Sequence, residues 1–315
     1  MDRVTLVSRR VVAVVVTWNR RVLLERIVTA INAGVRLPDE LIVVDNASTD
    51  GSVDMVKSLE GRVPLTVLAL PTNTGGAGGF HAGLEAAINA GADLVWLMDD
   101  DGTPPPDCLE RLMAYDGRFD FWGPAVVSEQ DRTRLCFPIR IPGSATVVHE
   151  LADLEQAAAR VSAESDVLPD VVIPFNGVLV TRELVERIGL VREDFFIWGD
   201  DVEYLWRARN AGARVATIVP AHFLHPATDD LGTPMAFGRT TYNHSPSDLK
   251  HYCLVRNNIT NLRDYRGRAG VAAFVAKTIW FYSFTRPSLA RLRLSADAAR
   301  AARRRDFTGH QRFLA

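Results

Sequence analysis

Residues 94–102 read Leu94-Val95-Trp96-Leu97-Met98-Asp99-Asp100-Asp101-Gly102: five apolar side chains in a row, then three carboxylates and a glycine. An apolar run without in/out alternation belongs to a strand covered on both faces, and the polar residues after it to the loop at its carboxyl end. Three earlier runs have the same form. Val11–Val16 leads into Thr17-Trp18-Asn19-Arg20, Leu41–Val44 into Asp45-Asn46-Ala47-Ser48-Thr49-Asp50-Gly51, and Leu65–Leu70 into Thr72-Asn73-Thr74-Gly75-Gly76-Ala77-Gly78-Gly79. Helix-length segments separate the runs, which is the βαβ pattern of a parallel sheet. Right-handed crossovers line up the strand ends along one edge, where such sheets bind ligands. Each loop alone is also ordinary turn and cap chemistry; four together predict a ligand site.

Farther along, a helix is expected after Pro104-Pro105-Pro106, and a less regular region over 119–226 that includes an insertion, 141–169, with one helix from Leu151 to Arg160. A strand covers Arg214–Val219, and beyond Lys250 the chain reads as helices through Arg305. The expected organisation is an α/β catalytic domain over 1–247 and a helical extension over 248–315.

The composition of the 315 residues, 47% hydrophobic and 23% charged, is that of a folded globular protein. A formal charge of −2 argues against a surface built to grip nucleic acid, which needs an excess of Lys and Arg. The cysteines Cys108, Cys136 and Cys253 are far apart, so neither a zinc knuckle nor a disulfide framework is indicated and a reducing, cytosolic setting fits. The apolar stretches are too short for a membrane span, which needs about 20 residues.

Three adjacent carboxylates repel one another, and such a cluster is stabilised by a bound cation. Oxygen ligands of this kind suit Mg²⁺ or Mn²⁺, with substrate phosphates completing the shell; a nitrogen from His222 or His225 would favour Mn²⁺. The alternative is a solvated acidic turn. The glycine-rich loop before a helix over His81–Ala90 lacks a Walker lysine and matches no G-x-G-x-x-G register, which removes the support for a P-loop or a nicotinamide cofactor. Its glycines would let backbone N–H groups approach a diphosphate, or simply permit a tight turn. A second acidic cluster, Trp198-Gly199-Asp200-Asp201-Val202-Glu203, opens a helix over Asp200–Ala211; acids there suit the helix dipole and also offer a general base.

The series Asp45, Asn73-x-Gly75-Gly76-x-Gly-Gly, Asp99-Asp100-Asp101, Asn176-Gly177, Trp198-Gly-Asp200-Asp201 and His225 resembles the family 2 glycosyltransferases of GT-A fold, from about Val11 to Tyr265. The phrases at 37–46, 75–80, 95–102 and 175–179 are most similar to the galactofuranosyltransferases of actinobacterial cell-wall galactan, the initiating enzyme in particular. That resemblance implies a GT-A fold, a UDP-sugar donor, and a metal-assisted inverting transfer to a polyprenyl-diphosphate-linked glycan at the inner face of the plasma membrane. It implies Thr17 and Asp45 along the nucleoside, Asn73, Gly75 and Gly76 near ribose and diphosphate, and Asp99, Asp101 and His225 on Mn²⁺ or Mg²⁺. Asp100 and Trp198 would line the substrate. Asp201 would be the base, with Asp200 as the alternative because Gly199 separates Trp198 from the pair. Tyr252 and Arg256-Asn257-Asn258 resemble a Tyr-x-x-x-Arg-Asn element, whose arginine would hold a substrate phosphate or a partner within the fold. A dTDP-rhamnose donor and a nucleotide-sugar-binding protein without turnover remain as alternatives. The arginines of 286–305, seven against one acid, suit an anionic membrane surface or a solvated helix face.

Overall fold

A computed structural model describes residues 9–162, 165–226, 232–238 and 240–314. The chain divides into two compact units, Met1–Leu190 with Ala208–Ala227, and Val191–Arg207 with Thr228–Ala315. The second acidic cluster, assigned from sequence to the catalytic domain, therefore packs with the C-terminal helices.

The strands are β1 (Val11–Thr17), β2 (Glu40–Asp45), β3 (Leu65–Ala69), β4 (Leu94–Asp99), β5 (Phe121–Ser128), β6 (Arg134–Arg140), β7 (Val147–Glu150), β8 (Val167–Pro169), β9 (Asn176–Thr181), β10 (Val215–His225), β11 (Thr233–Met235) and β12 (Thr240–Tyr242). The α-helices are α1 (Arg21–Asn32), α2 (Ser52–Ser58), α3 (Gly75–Asn89), α4 (Cys108–Met113), α5 (Leu151–Val161), α6 (Arg182–Ile188), α7 (Asp200–Asn210), α8 (Asp248–Tyr265), α9 (Gly267–Trp280) and α10 (Leu289–Arg304).

In the first unit a mostly parallel sheet runs β3-β2-β1-β4-β9-β5-β10-β8, with β6 and β7 added off β5. β1, β2, β3 and β4 are mutually parallel, while β9 enters antiparallel to β4 and β5. All of β1 is buried, as is β4 up to Met98, which is why these strands read as continuous apolar runs. The register sets Thr17 beside Asp45 and Val16 beside Asp99, so the loops after β1, β2 and β4 start side by side.

Two expectations are corrected. The glycine-rich stretch is not a loop before a helix at His81; it is the first turns of α3, which begins at Gly75. A Cβ on Gly79 would come within 2.4 Å of Val16, and one on Gly83 within 2.4 Å of Val14 and 2.9 Å of Val44. Glycine weakens a helix in isolation, but here it lets the helix lie close on the sheet. The strand ending at Val219 continues as β10 to His225, passing Pro220 through an irregularity between Ile218 and His222.

In the second unit α8, α9 and α10 pack around Tyr252, Cys253, Val255, Ile259, Ala298 and Ala302, with Phe196 inserted among them. A π-helical turn, Phe281–Thr285, follows α9. Among the described residues no helix is long and apolar enough to cross a membrane.

Candidate active site

The loop after β4 is fixed by its neighbours on β10. Thr103 exchanges backbone hydrogen bonds with Leu224, at 2.7 and 2.9 Å. A Cβ on Gly102 would lie 1.9 Å from the Phe223 ring, so the loop can settle on β10 only with glycine at this position. Asp101 then meets His225: Nε2 lies 3.2 Å from Asp101 Oδ1, an ion-pair distance, although that buried oxygen completes no well-directed hydrogen bond. The other ring nitrogen, Nδ1, is 2.9 Å from the Pro226 carbonyl and 3.3 Å from Cys136 Sγ.

Arg20 bridges Asp100 and Asp101, with Nη1 2.9 Å from Asp100 Oδ1 and 2.8 Å from Asp101 Oδ2. Thr17 donates to Asp100 Oδ2 at 2.6 Å. Arg26 on α1 donates to the Asp101 carbonyl at 3.0 Å. Burial pushes the Asp101 carboxyl up, but His225 and Arg20 outweigh it and bring it down to about 2. Burial opposes charge on the His225 ring, yet Asp101, Cys136 and the Pro226 carbonyl raise it to about 10. Asp100, turned to Thr17 and Arg20, is raised because burial dominates.

The structure thus brings Asp101 and His225 together. Asp99 closes β4, its amide on the Phe175 carbonyl; among the described residues no three His, Cys, Asp or Glu side chains converge as an all-protein metal site would require. One carboxylate, one imidazole and an incompletely bonded buried oxygen nevertheless fit a divalent cation whose shell is completed by substrate phosphates.

Around the other loops, Asp45 is buried, accepts from the Ser48 amide at 3.0 Å through Oδ2, and leaves Oδ1 without a hydrogen-bond partner. Asn46 donates to the Gly75 carbonyl at 2.7 Å and accepts from the Thr74 amide at 2.8 Å. Asn73 Oδ1 takes the Gly75 amide at 2.8 Å, which fixes the start of α3. A Cβ on Gly76 would meet nothing within 4 Å, so open space adjoins the first turn of that helix. Arg20 and Asn46 were within quoted loops, but sequence reasoning gave neither a role; a cation facing an acid run was the available signal for Arg20.

In the second unit, Phe196, Trp198 and Gly199 all have positive φ, of 64°, 69° and 85°. Left-handed backbone is costly for an aromatic residue and persists only where its surroundings impose it. Here Asn257 Nδ2 lies within 2.7–3.0 Å of the Phe195, Ile197 and Trp198 carbonyls, and Asn261 Nδ2 donates to the Gly199 carbonyl at 2.8 Å. Arg256 is fully buried: Nη2 donates to the Phe195 carbonyl, Nη1 to that of Phe307, and Nε to Asn257 Oδ1, each at 2.9 Å. The sequence allowed two roles for Arg256; the partners its guanidinium makes here lie within the fold. The Tyr-x-x-x-Arg-Asn element is a clamp that sets the turn into α7.

α7 opens with Asp200, Asp201 and Glu203 in its first turn. Glu203 is neutralised, with Arg207 Nη2 at 2.9 Å and the Tyr265 hydroxyl donating at 2.5 Å. Asp200 and Asp201 have no ion-pair partner among the described residues; Asp201 Oδ1 accepts from the Val202 amide at 2.7 Å. Burial raises the Asp200 carboxyl well above the usual carboxylate range, and the charge of Asp201 adds to it. Burial also raises Asp201, against the pull of backbone N–H groups.

The model of the family described as "Glycosyl transferase family 2" matches residues 12–153. The galactofuranosyltransferase GlfT1 of Mycolicibacterium smegmatis is 33% identical over 301 residues, 94% of this chain and 97% of that protein. The chain belongs to glycosyltransferase family 2. The dTDP-rhamnosyl transferase RfbF of Shigella flexneri is 22% identical, over 71% of this chain and 70% of its own length. Among solved structures, the mannosyltransferase PcManGT of Pyrobaculum calidifontis, in complex with GDP-Man and Mn²⁺, superposes with a TM-score of 0.55 at 20% identity, covering 94% of this chain and 75% of that one. The fold of this glycosyltransferase is accordingly GT-A, with C-terminal helices added.

Proposed function

We propose that this glycosyltransferase moves galactofuranose from UDP-galactofuranose to a polyprenyl-diphosphate-linked saccharide, with inversion, in cell-wall galactan synthesis. The observation that carries the reading is the similarity along nearly the whole chain to a galactofuranosyltransferase. The site supports it. Asp45, with a buried oxygen lacking a partner, suits the N3–H donor of uracil, and Thr17 lies beside it in register. Asn73 fixes the start of α3 at Gly75, and with Gly75 and Gly76 it would face ribose and diphosphate. Asp101 and His225, with Asp99 two residues before Asp101, would hold Mn²⁺ or Mg²⁺; that cation would neutralise the charge developing on the departing diphosphate. Asp100 and Arg20 keep the loop in shape, and Trp198 lines the approach to the acidic turn.

Asp201, or Asp200 beside it, takes the proton of the attacking acceptor hydroxyl. Its raised pKa suits this role: a base is most effective when its pKa approaches the working pH. Inversion in one displacement needs no enzyme nucleophile, because the oxocarbenium-like transition state is attacked directly. Arg256, Asn257 and Asn261 act on that carboxylate through the turn they clamp.

A transfer assay with a panel of nucleotide sugars and a lipid-diphosphate acceptor analogue tests the reading. UDP-galactofuranose should dominate, since a site built to hydrogen-bond given hydroxyls rejects an analogue lacking them by about 10⁴. Transfer should stop in excess EDTA and return with Mn²⁺. Uracil and thymine offer the same N3–H, so transfer from dTDP-rhamnose with none from UDP-galactofuranose would keep the family and replace the donor.

A further inference from the structure

α9 is apolar apart from Arg268, Lys277 and Thr278, yet of its residues only Thr278 is fully buried. Its inward face carries Val271, Phe274 and Val275, packed against α8 and α10, with Phe274 also against the Tyr242–Phe281 cluster. At 100° per residue, Ala269, Ala272, Ala273, Ala276, Ile279 and Trp280 form a second apolar stripe about 120° wide. All six are exposed. The stripe grows bulkier toward the π-helical turn: Ile279 is 52% exposed, Trp280 43%, Phe284 69% and Leu289 73%, with the Trp280 and Phe284 rings 4.8 Å apart. Apolar faces of this extent on soluble proteins mark interaction sites.

The charges around it are of one sign. No Asp or Glu occurs between Asp264 and Asp297, while Arg266, Arg268, Lys277, Arg286, Arg291 and Arg293 fall in that interval. By helical position Arg268 borders one edge of the stripe and Lys277 the other. Arg291 is paired with Asp248, and Arg266 lies over the Trp206 ring. Arg268, Lys277, Arg286 and Arg293 make no ion pair among the described residues. An apolar stripe with aromatic bulk at one end and unpaired cations at its borders complements a surface that is apolar within and anionic at its rim. An acidic protein would match the cations but not the width of uncharged stripe.

We propose that the exposed face of α9, continued by Phe284 and Leu289, docks into an anionic lipid surface. The proposal deepens the lipid-linked-acceptor reading above, and it adds to Arg286 and Arg293 the exposed apolar face of the helix that precedes them. Trp280, Phe284 and Leu289 enter the headgroup boundary, while Arg268, Lys277, Arg286 and Arg293 meet lipid phosphates, the long stems of the cations lying along apolar surface.

Vesicle flotation tests it, with phosphatidylcholine alone and with phosphatidylcholine containing phosphatidylglycerol. The full chain should bind the anionic vesicles and not the neutral ones. A Trp280→Ser/Phe284→Ser/Leu289→Ser variant and an Arg268→Glu/Arg286→Glu/Arg293→Glu variant should each bind about tenfold more weakly or worse. Every one of these positions is exposed, so both variants should keep wild-type circular dichroism and wild-type transfer to a water-soluble acceptor. That transfer also separates the two readings, since it depends on donor and acceptor and not on vesicles. Binding unchanged in either variant, or equal on neutral vesicles, overturns the proposal. So does a wild-type dimer that the triple-serine variant dissolves while no vesicle is bound, which would give the face to a second copy of the chain.

Discussion

The molecule carries two runs of acidic residues and treats them in opposite ways. In the first unit Asp100 and Asp101 lie against Arg20 and His225, and the Asp101 carboxyl is held down at about 2. In the second, Asp200 and Asp201 are given backbone N–H groups but no cation among the described residues, and burial raises both. The nearby cations are spent elsewhere: Arg207 is on Glu203 and Arg256 on backbone carbonyls. A carboxylate kept ionised suits a positively charged ligand; one kept close to protonation suits a proton acceptor. Composition alone does not separate them, since each is a pair or triplet of Asp beside a glycine.

The largest expected effect breaks the comparison on the base side. Asp201→Asn should lower kcat by about 10²–10⁴ in the transfer assay, the usual cost of losing a general base. If Asp201→Asn keeps full turnover and Asp200→Asn abolishes it, the base is the other member of the pair.

The pH profile sharpens the contrast. A base must be ionised to act, so a raised carboxyl loses activity as pH falls through a value above the ordinary carboxylate range. The acid limb of kcat/KM in wild type should therefore lie above about pH 4.3, the ordinary Glu value and the upper end for carboxylates. A limb at or below that value would mean that burial of the pair does not govern the chemistry.

A smaller effect probes how the first cluster is held. Gly102→Ala places a methyl group against the Phe223 ring, and overpacking of this kind costs about 1–3 kcal/mol. Thermal melting should fall by about 2–4 °C for each kcal/mol lost. Metal-dependent activity should fall with it, because the loop that carries Asp101 rests on that contact. An unchanged melting temperature would show that the loop is free to shift.

The first four strands were legible because burial on both faces leaves an unbroken apolar run, whereas the meeting of Asp101 with His225 was implied only by the family resemblance, the residues alone leaving His222 and His225 open. The helical nature of 75–79 was not legible. Five glycines in a fifteen-residue helix contradict propensity, and two of them, Gly79 and Gly83, are required by the close approach of Val14, Val16 and Val44 on strands distant in sequence. The extent of β10 was hidden by Pro220, which an irregular pairing accommodates. The place of 191–207 was hidden as well, because Asn257 and Asn261 reach back some sixty residues to hold it. Arg256 was recognised as part of a motif, but whether a guanidinium faces a ligand or a carbonyl depends on packing that no local spacing encodes.

Titration calorimetry of UDP with and without Mn²⁺, on wild type, Asp101→Asn and Asp201→Asn, tests the division between the two clusters most directly. The account predicts that Mn²⁺ strengthens UDP binding in wild type and in Asp201→Asn alike, and that Asp101→Asn loses this strengthening. Equal loss in Asp201→Asn, or full retention in Asp101→Asn, would contradict it.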